Sequence, residues 1–338
     1  MTATASDTEL SATLDRRLDA HLAARSLTRS QVVQQVDTSF GEPLLTVATG
    51  SVMAGFGNSG SDLDVYSVVP ETVSSTLPLT AYVNGALIEV VLHGADPVMT
   101  RHRELTADEW PPAEVGPGDL ASRRLHLDSL SRFALGLALA GTPEWLAWKQ
   151  QLGGEVVQWI TSWYAVEAVR KQVSARTFAP RKPIVAALRM GEALWAALER
   201  HAALHGEWYF KPKWLGEKLR RLDDRAGLDA FRLASCPPLS PDGVPAYLEE
   251  VGALVDHYLT GVDSDQWRIT VKPAYGTDRY AFGGTELFSR WGLRTVSVPA
   301  DGPTSGRAEW TYGITDTWDD EIAGLFAEDV LWMGVEKS

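Results

Sequence analysis

Two aspartates separated by one residue, Asp62 and Asp64, stand at the start of an apolar run that predicts a β-strand. Because side chains alternate along a strand, both carboxylates are expected on the same face. Paired carboxylates repel each other, and a divalent cation is the usual partner that stabilises them. Gly50 and Ser51 lie shortly upstream, after another apolar run. Glycine lets the backbone approach a ligand closely, and the neighbouring N–H and hydroxyl groups can donate to phosphate oxygens, so this stretch predicts a metal-dependent phosphate site.

A third acid, Glu89, is expected on a neighbouring strand. The segment 80–92 predicts two short apolar strands joined at Asn84-Gly85, which is a strong hairpin signal. Glu89 lies in the second strand between apolar neighbours, where a carboxylate either faces solvent or belongs to a site. With the two aspartates it would form the triad that a two-metal phosphoryl-transfer centre requires. The alternative is a solvated Asp-x-Asp turn, which does not explain the glycine–serine pair and the acid-bearing strand together.

The glycine–serine pair, the loop after it, the Asp-x-Asp pattern and the later glutamate resemble the signature of the nucleotidyltransferase superfamily that includes DNA polymerase β. The small-molecule and antibiotic nucleotidyltransferases are the most similar in style, and the resemblance covers the first third of the chain. It implies transfer of a nucleoside monophosphate from a nucleoside triphosphate, such as ATP, to a hydroxyl, with loss of pyrophosphate. Asp62, Asp64 and Glu89 would be the catalytic residues and the ligands of two Mg²⁺ ions, with Mn²⁺ as the alternative ion. The nucleotide-binding residues implied around the loop are Gly50, Ser51 and Ser61.

A basic stretch at 208–221 is the second candidate for chemistry. Many members of the superfamily carry an arginine shortly after the glycine–serine pair, whereas residues 52–55 contain none here. Pro212 predicts a helix start, where N–H groups and the positive dipole end attract anions. The lysines expected to bind the triphosphate are Lys211, Lys213 and Lys218. The alternative is a solvated helix face in which Glu217 pairs with neighbouring arginines.

The composition limits which classes of partner are expected. A formal net charge of −13 would repel a polyanion, which argues against nucleic acid and favours a neutral or cationic, aminoglycoside-like acceptor used in resistance or biosynthesis. No apolar run is long enough for a membrane helix, and residues 1–30 lack the pattern of a secretion signal. The single cysteine fits a reducing cytoplasm. We therefore expect a cytoplasmic enzyme without a membrane partner, and the sequence does not indicate its oligomeric state.

Two other functions remain open from the sequence. The chain would be a nucleotidylyltransferase of proteins or peptides if its acceptor were a polypeptide, although such members of the superfamily are usually far shorter. It would be a non-catalytic nucleotide-binding protein if the acids served binding alone. Transfer to an acceptor separates both enzymes from the binding protein, and the identity of the acceptor separates the enzymes from each other.

The pattern of elements predicts an α+β fold in three domains. Residues 1–118 would form the catalytic domain, a mixed β-sheet with flanking helices. Residues 119–261 would form a helical domain, which the resemblance places at the other wall of the cleft, and residues 262–338 a small α+β domain without an assigned role. Apolar spacing predicts helices, among others, at 7–37 with Ser30 as a cap, at 120–140 and at 318–332. Residues 141–154 are expected to join two helices and to contain only a brief helix of their own.

Overall fold

The computed structural model describes residues 5–58, 60–70, 74–75, 77–84, 86–107 and 109–338. The fold is α+β, as predicted, with an N-terminal mixed sheet, a helical region and small C-terminal sheets. The chain packs into two compact units. Unit 1 comprises Met1–Ala107, Leu125–Gln158 and Tyr209–Lys211, and unit 2 comprises Asp108–Arg124, Trp159–Trp208 and Pro212–Ser338. The division into three domains at 118 and 261 stays a prediction.

Unit 1 is built on a mixed sheet. Its elements, two of which extend into unit 2, are α1 (Ala5–Ala23), α2 (Arg29–Phe40), β1 (Leu45–Thr49), α3 (Gly50–Met53), β2 (Leu63–Val69), β3 (Leu79–Val83), β4 (Ala86–Gly94), α4 (Ala95–Ala107), α5 (Asp119–Leu135), β5 (Leu137–Gly141) and α6 (Pro143–Phe178). The strand order is β3-β4-β2-β1-β5. Strands β2 and β4 are parallel, and the other pairs are antiparallel.

Two helices cover one face of this sheet. The apolar side chains of α1 and α2 that pack there include Leu14, Leu18, Leu22, Val32 and Val36. Helix α2 begins with a capping box, in which the Thr28 hydroxyl accepts the N–H of Gln31 and the Gln31 side chain accepts the N–H of Thr28. The prediction of Ser30 as the cap is wrong, because Ser30 already lies inside the helix. The β3–β4 hairpin is present as predicted, although Gly85 of its turn lies outside the described residues.

A strand replaces the end of a predicted helix. The pattern predicts one helix over 120–140, but α5 ends at Leu135 and β5 pairs with β1. Gly136 makes this possible, since a Cβ there would lie 2.3 Å from Val47 Cγ1. The chain therefore passes close to β1, whose open edge provides hydrogen bonds that a longer helix would not.

Helix α6 is longer than expected. Residues 141–154 do not form a connection, because α6 runs without interruption from Pro143 to Phe178. Gly153 and Gly154 lie in its interior, where each glycine costs about 1 kcal/mol relative to alanine. Buried apolar side chains on either side of the pair offset that cost: Trp145, Trp148, Leu152 and Val156. Tertiary packing has overridden the local helix-breaking signal.

Unit 2 is helical at first and then forms two small sheets. Its further elements are α7 (Pro183–Leu204), α8 (Leu215–Arg221), α9 (Arg225–Ser235), α10 (Val244–Tyr258), β6 (Trp267–Pro273), β7 (Thr277–Phe282), β8 (Thr285–Arg290), β9 (Arg294–Pro299), β10 (Trp310–Gly313), α11 (Asp320–Ala327) and β11 (Leu331–Lys337). The sheets have the orders β10-β6-β11 and β7-β8-β9. Across the described ranges, no helix has the length and apolarity needed to cross a membrane.

The predicted helix over 318–332 is confirmed in part: α11 lies within that range, but it ends earlier and a strand follows it. Helix α11 is short, and the chain turns at Asp329, which has a positive φ of 62°. Strand β11 follows and pairs with β6. Its alternate residues Leu331, Met333 and Val335 project into one hydrophobic core, as the two-residue alternation of a strand requires.

Candidate active site

Two of the predicted catalytic acids lie side by side. Asp64 on β2 and Glu89 on β4 are register partners in the parallel pair, so their side chains project to the same face. Asp62 immediately precedes β2 and is exposed. The strand neighbours that project to the opposite face are buried in the core with α1 and α2: Leu63, Val65, Ile88 and Val90. Strand alternation thus separates an apolar face from an acid-bearing face.

The three acids share one electrostatic environment. Burial raises the pKa of Glu89 above its ordinary value, and the negative charges of Asp64 and Asp62 raise it further, whereas Arg132 opposes the shift. Nearby carboxylates disfavour one another's ionised forms in this way. Without a counter-ion the group is electrostatically costly, and a cation bound there would relieve the repulsion.

Metal binding can be judged from the donor atoms. In the described part of the chain, no group of three or more histidine, cysteine, aspartate or glutamate side chains is arranged to hold a metal ion. Asp64 and Glu89 nevertheless provide the oxygen donors that Mg²⁺ prefers. This ion is usually bound through one or two carboxylates, water and substrate phosphates rather than by an all-protein cage. The pair fits an open site of that kind, and the three-ligand metal centre stays a prediction.

Gly50 packs directly against one of the acids. Strand β1 ends at Thr49, the register partner of Asp64. Gly50 follows with a φ of +80°, and a Cβ at this position would lie 1.7 Å from Asp64 Oδ2. No other residue fits there without displacing the carboxylate. The next residue, Ser51, accepts the N–H of Phe56 at its carbonyl, at 2.8 Å, which folds the following loop back on the turn.

Helix α1 and the turn that follows it contact that loop at Met53 and at Ser61. Arg17 donates from Nη1 to the carbonyl of Met53 at 2.7 Å, and Arg25 donates from Nη2 to the carbonyl of Ser61 at 2.8 Å. Arg17 lies on α1 and Arg25 in the turn just after its end at Ala23, with His21 between them in the sequence. The structure therefore fixes Ser61 next to the acids through its backbone. The sequence signal for this arrangement was the i, i+4, i+8 spacing of three basic residues, which our sequence reading missed.

A cluster of charges on α5 adjoins Asp64. Arg132 Nη1 lies 4.0 Å from Asp64 Oδ1, and Arg132 Nε lies 3.7 Å from Asp128 Oδ1. The Arg132 guanidinium also lies over the Tyr66 ring, 5.3 Å from its centroid. Lys211 Nζ forms a tighter ion pair with Asp128 Oδ1, at 2.6 Å. Of these residues the sequence indicated only Asp64 and Lys211.

Tyr209 belongs to the same cluster. Its ring stacks on Phe56 of the loop, with centroids 5.8 Å apart and an interplanar angle of 18°. Burial raises the pKa of Tyr209 to about 12; the charge of Arg132 opposes this shift, and those of Asp64 and Asp128 add to it. The hydroxyl therefore stays protonated at neutral pH and is available as a hydrogen-bond donor beside the acids.

Aromatic rings close the same face of the sheet beyond Asp64. The Tyr66 ring lies 4.8 Å from that of His93 and 5.4 Å from that of Phe133, which in turn lies 5.7 Å from Trp148. Burial lowers the pKa of His93 to about 3, with Arg101 adding to the effect. His93 is therefore neutral at physiological pH, and its ring packs among the aromatic side chains on this face of the sheet.

The three predicted lysines have different environments. Lys211 belongs to unit 1 and to the charge cluster. Lys213 belongs to unit 2 and is exposed, with its ammonium 5.3 Å from the centroid of the Trp214 ring, and its role stays a prediction. Lys218 is fully buried in unit 2, where its Nζ pairs with Glu199 Oε2 at 2.5 Å. An enclosed, paired ammonium has no access to a triphosphate, so the assignment of Lys218 is corrected.

Comparisons with known proteins add little to this geometry. No protein-family model matches the chain, and no curated protein matches it. Among solved structures it is similar to a nucleotidyltransferase-like protein from Exiguobacterium sibiricum 255-15. The identity is 13%, the match covers 68% of this chain and 74% of that chain, and the TM-score is 0.41. That likeness is coarse.

Proposed function

We propose that this protein is a metal-dependent nucleotidyltransferase that transfers a nucleoside monophosphate to a hydroxyl of a small polar or cationic acceptor. The observation that carries the proposal is the contact between Gly50 and Asp64, with Glu89 beside Asp64 on the next strand. A backbone turn that no side chain can fill, packed on paired carboxylates, suits a polyphosphate and its cation. A solvated Asp-x-Asp turn would not need such a contact.

Asp64 and Glu89, with Asp62, would hold magnesium, which when bound neutralises charge on the phosphates and the leaving group. Gly50, Ser51 and Ser61 would contact the nucleotide from the loop that α1 and the turn after it contact. Lys211, which belongs to the same unit, remains our candidate for its phosphates. These roles follow from the proximity of the loop to the acids and from the chemistry of each side chain.

Glu89 is our candidate for the general base. Its raised pKa makes the ionised carboxylate a better proton acceptor than an ordinary surface glutamate. The acceptor hydroxyl would give its proton to Glu89, and its oxygen would form the new bond to the α-phosphorus. The bond from the α-phosphorus to the bridging oxygen would break, and pyrophosphate would leave with the electron pair.

An acceptor screen tests the proposal. Purified protein is mixed with Mg²⁺, each nucleoside triphosphate labelled at the α-phosphate, and a panel of aminoglycosides, hydroxylated amines, neutral sugars and peptides. Release of pyrophosphate together with transfer of label to one class of small acceptor is the expected result. Transfer to peptide instead identifies a protein nucleotidylyltransferase, and nucleotide binding without transfer identifies a binding protein.

A further inference from the structure

Arg132 has charge but no close polar partner. Its two ion pairs, with Asp64 and Asp128, are 4.0 and 3.7 Å long, beyond hydrogen-bond distance. Its Nε is buried and has no hydrogen-bond partner among the residues that the structure describes. Only 17% of the side chain is exposed. A buried donor left in this state is unfavourable unless a ligand completes it.

Another arginine of unit 1 is paired more closely. Arg29 contacts Asp15 and Asp19 at 2.5 and 2.8 Å although it is more exposed. In the α5 cluster, Asp128 makes its short contact with Lys211 instead of Arg132. A purely structural arginine would be expected to take the hydrogen-bonding position on the neighbouring carboxylate.

The surroundings of Arg132 match those of an anion site. Asp64, its nearest acid, packs on the Gly50 turn where the phosphates are proposed to bind. The turn itself has no arginine in residues 52–55, so the triphosphate charge lacks a counterpart there. A guanidinium offers a planar set of donors that binds phosphate oxygens in pairs. The cation–π contact with the Tyr66 ring helps to hold this group beside Asp64 before a ligand binds.

We infer that Arg132 binds the polyphosphate chain of the nucleotide, an inference that rests on the proposed function. Without nucleotide, the same positive charge partly balances Asp64. Removing the charge should therefore affect two ligands in opposite directions. An anion loses an attractive partner, whereas a divalent cation at the carboxylates loses a repulsive one.

The test measures binding without turnover. Wild type, Arg132→Gln and Arg132→Lys are titrated with tripolyphosphate and with an α,β-methylene nucleoside triphosphate in the presence of Mg²⁺, and separately with Mn²⁺ alone. For Arg132→Gln we expect polyphosphate affinity to fall about 10- to 100-fold, as for loss of a charge-assisted pair. Mn²⁺ should bind about threefold or more tightly to this variant, because the repelling charge is gone. Arg132→Lys should lose less polyphosphate affinity and leave Mn²⁺ binding unchanged.

Arg103→Gln is the matched control, since Arg103 is an exposed arginine on α4 of the same unit and its loss changes net charge equally. It should alter neither affinity. Polyphosphate binding by Arg132→Gln at the wild-type level overturns the inference and leaves the proposed function intact. Parallel loss of Mn²⁺ and polyphosphate binding shows a structural role and overturns it too. If wild type binds no polyphosphate, the proposed function fails and the inference fails with it. Should Arg132→Gln not fold, an unchanged polyphosphate affinity in Arg132→Lys overturns the inference, and a loss supports it.

Discussion

Lys211 and Lys218 come from one basic stretch of sequence, yet they are placed in unlike regions of the molecule. Lys211 lies in the acid-bearing cluster of unit 1, where it pairs with Asp128 and both side chains are 28% exposed. Lys218 lies inside the helices of unit 2, where it and Glu199 are 0% and 2% exposed. The first region is open and rich in carboxylates. The second is a closed pair with one charge of each sign.

This difference in exposure distinguishes a candidate ligand-binding site from a structural ion pair. A buried pair is stable only while both charges remain, because each one alone would suffer the full cost of desolvation. Both side chains are enclosed, so a ligand has no access to them. In the open cluster, Asp62 and Glu89 have no short ion pair in the described part of the chain, and Arg132 is held only loosely. Unbalanced groups of this kind are stabilised when a ligand supplies the missing charge.

Asp64→Asn tests the open region and should have the largest effect. The proposed transferase activity should fall at least about a thousandfold, because the substitution removes a carboxylate that would hold the cation. The free energy of unfolding should not decrease, since a repelling charge is also removed. Pyrophosphate release and thermal melting measure the two quantities. Asp96→Asn, at an exposed position on α4, is the control and should retain activity. Wild-type turnover in Asp64→Asn would contradict the assignment.

Lys218→Met tests the closed region. Glu199 would be left buried without a counter-charge, and the free energy of unfolding should fall by about 3–5 kcal/mol. Chemical denaturation measures this loss, while the nucleotide affinity of the folded variant should stay at the wild-type value. Arg220→Met on the same helix is the control; its partner Glu217 is at the surface, so the cost should be below about 1 kcal/mol. Equal costs for both variants would show that burial does not distinguish the Lys218–Glu199 pair from a surface ion pair.

Gly50→Ala tests the contact that carries the proposed function. The added Cβ would displace the Asp64 carboxylate, and a shift of that size should lower activity about 10- to 100-fold. The positive φ adds a cost of about 1–2 kcal/mol to folding. Gly153→Ala in α6 is the control, because nothing lies within 4 Å of its Cβ position. That control should raise the melting temperature and keep activity. A fully active Gly50→Ala would show that the contact is not needed.

Glu89 gives the smallest expected effect, a pH dependence of stability. Because its pKa is raised in the folded state, the folded protein holds this proton more tightly than the unfolded chain. Its contribution is therefore most favourable below the unfolded pKa near 4.5 and is lost as the pH rises through the folded pKa. Between pH 4 and 7, the free energy of unfolding of wild type should decline relative to that of Glu89→Gln. If the free energies of unfolding of the two proteins changed in parallel with pH, the pKa of Glu89 would not be raised in the folded protein.

Local patterns predicted the elements that bear the acids. The apolar run after Asp62 predicted a strand over 63–69, and β2 has these bounds. The pairing of β3 with β4 followed from the hairpin signal. These features depend on alternation and turn chemistry over a few residues, so they can be recognised without knowledge of the fold. The same local reasoning failed for β5 and α6, where the decisive interactions are an open strand edge and buried tryptophans.

The sequence by itself determined that the acids would occur on strands after a glycine turn, because strand alternation and hairpin formation act over short distances. The parallel pairing of β2 with β4, which sets Asp64 beside Glu89, was decided by the tertiary structure. Only the tertiary structure decided which cations meet those acids. The packing of α5 and of 209–211 within unit 1 brings Arg132 to Asp64 and Lys211 to Asp128, the second acid near Arg132. Lys218 resembles Lys211 in sequence context, but its helix turns it into an apolar core beside Glu199. Charge and spacing identify candidates, and burial determines which of them can reach a ligand.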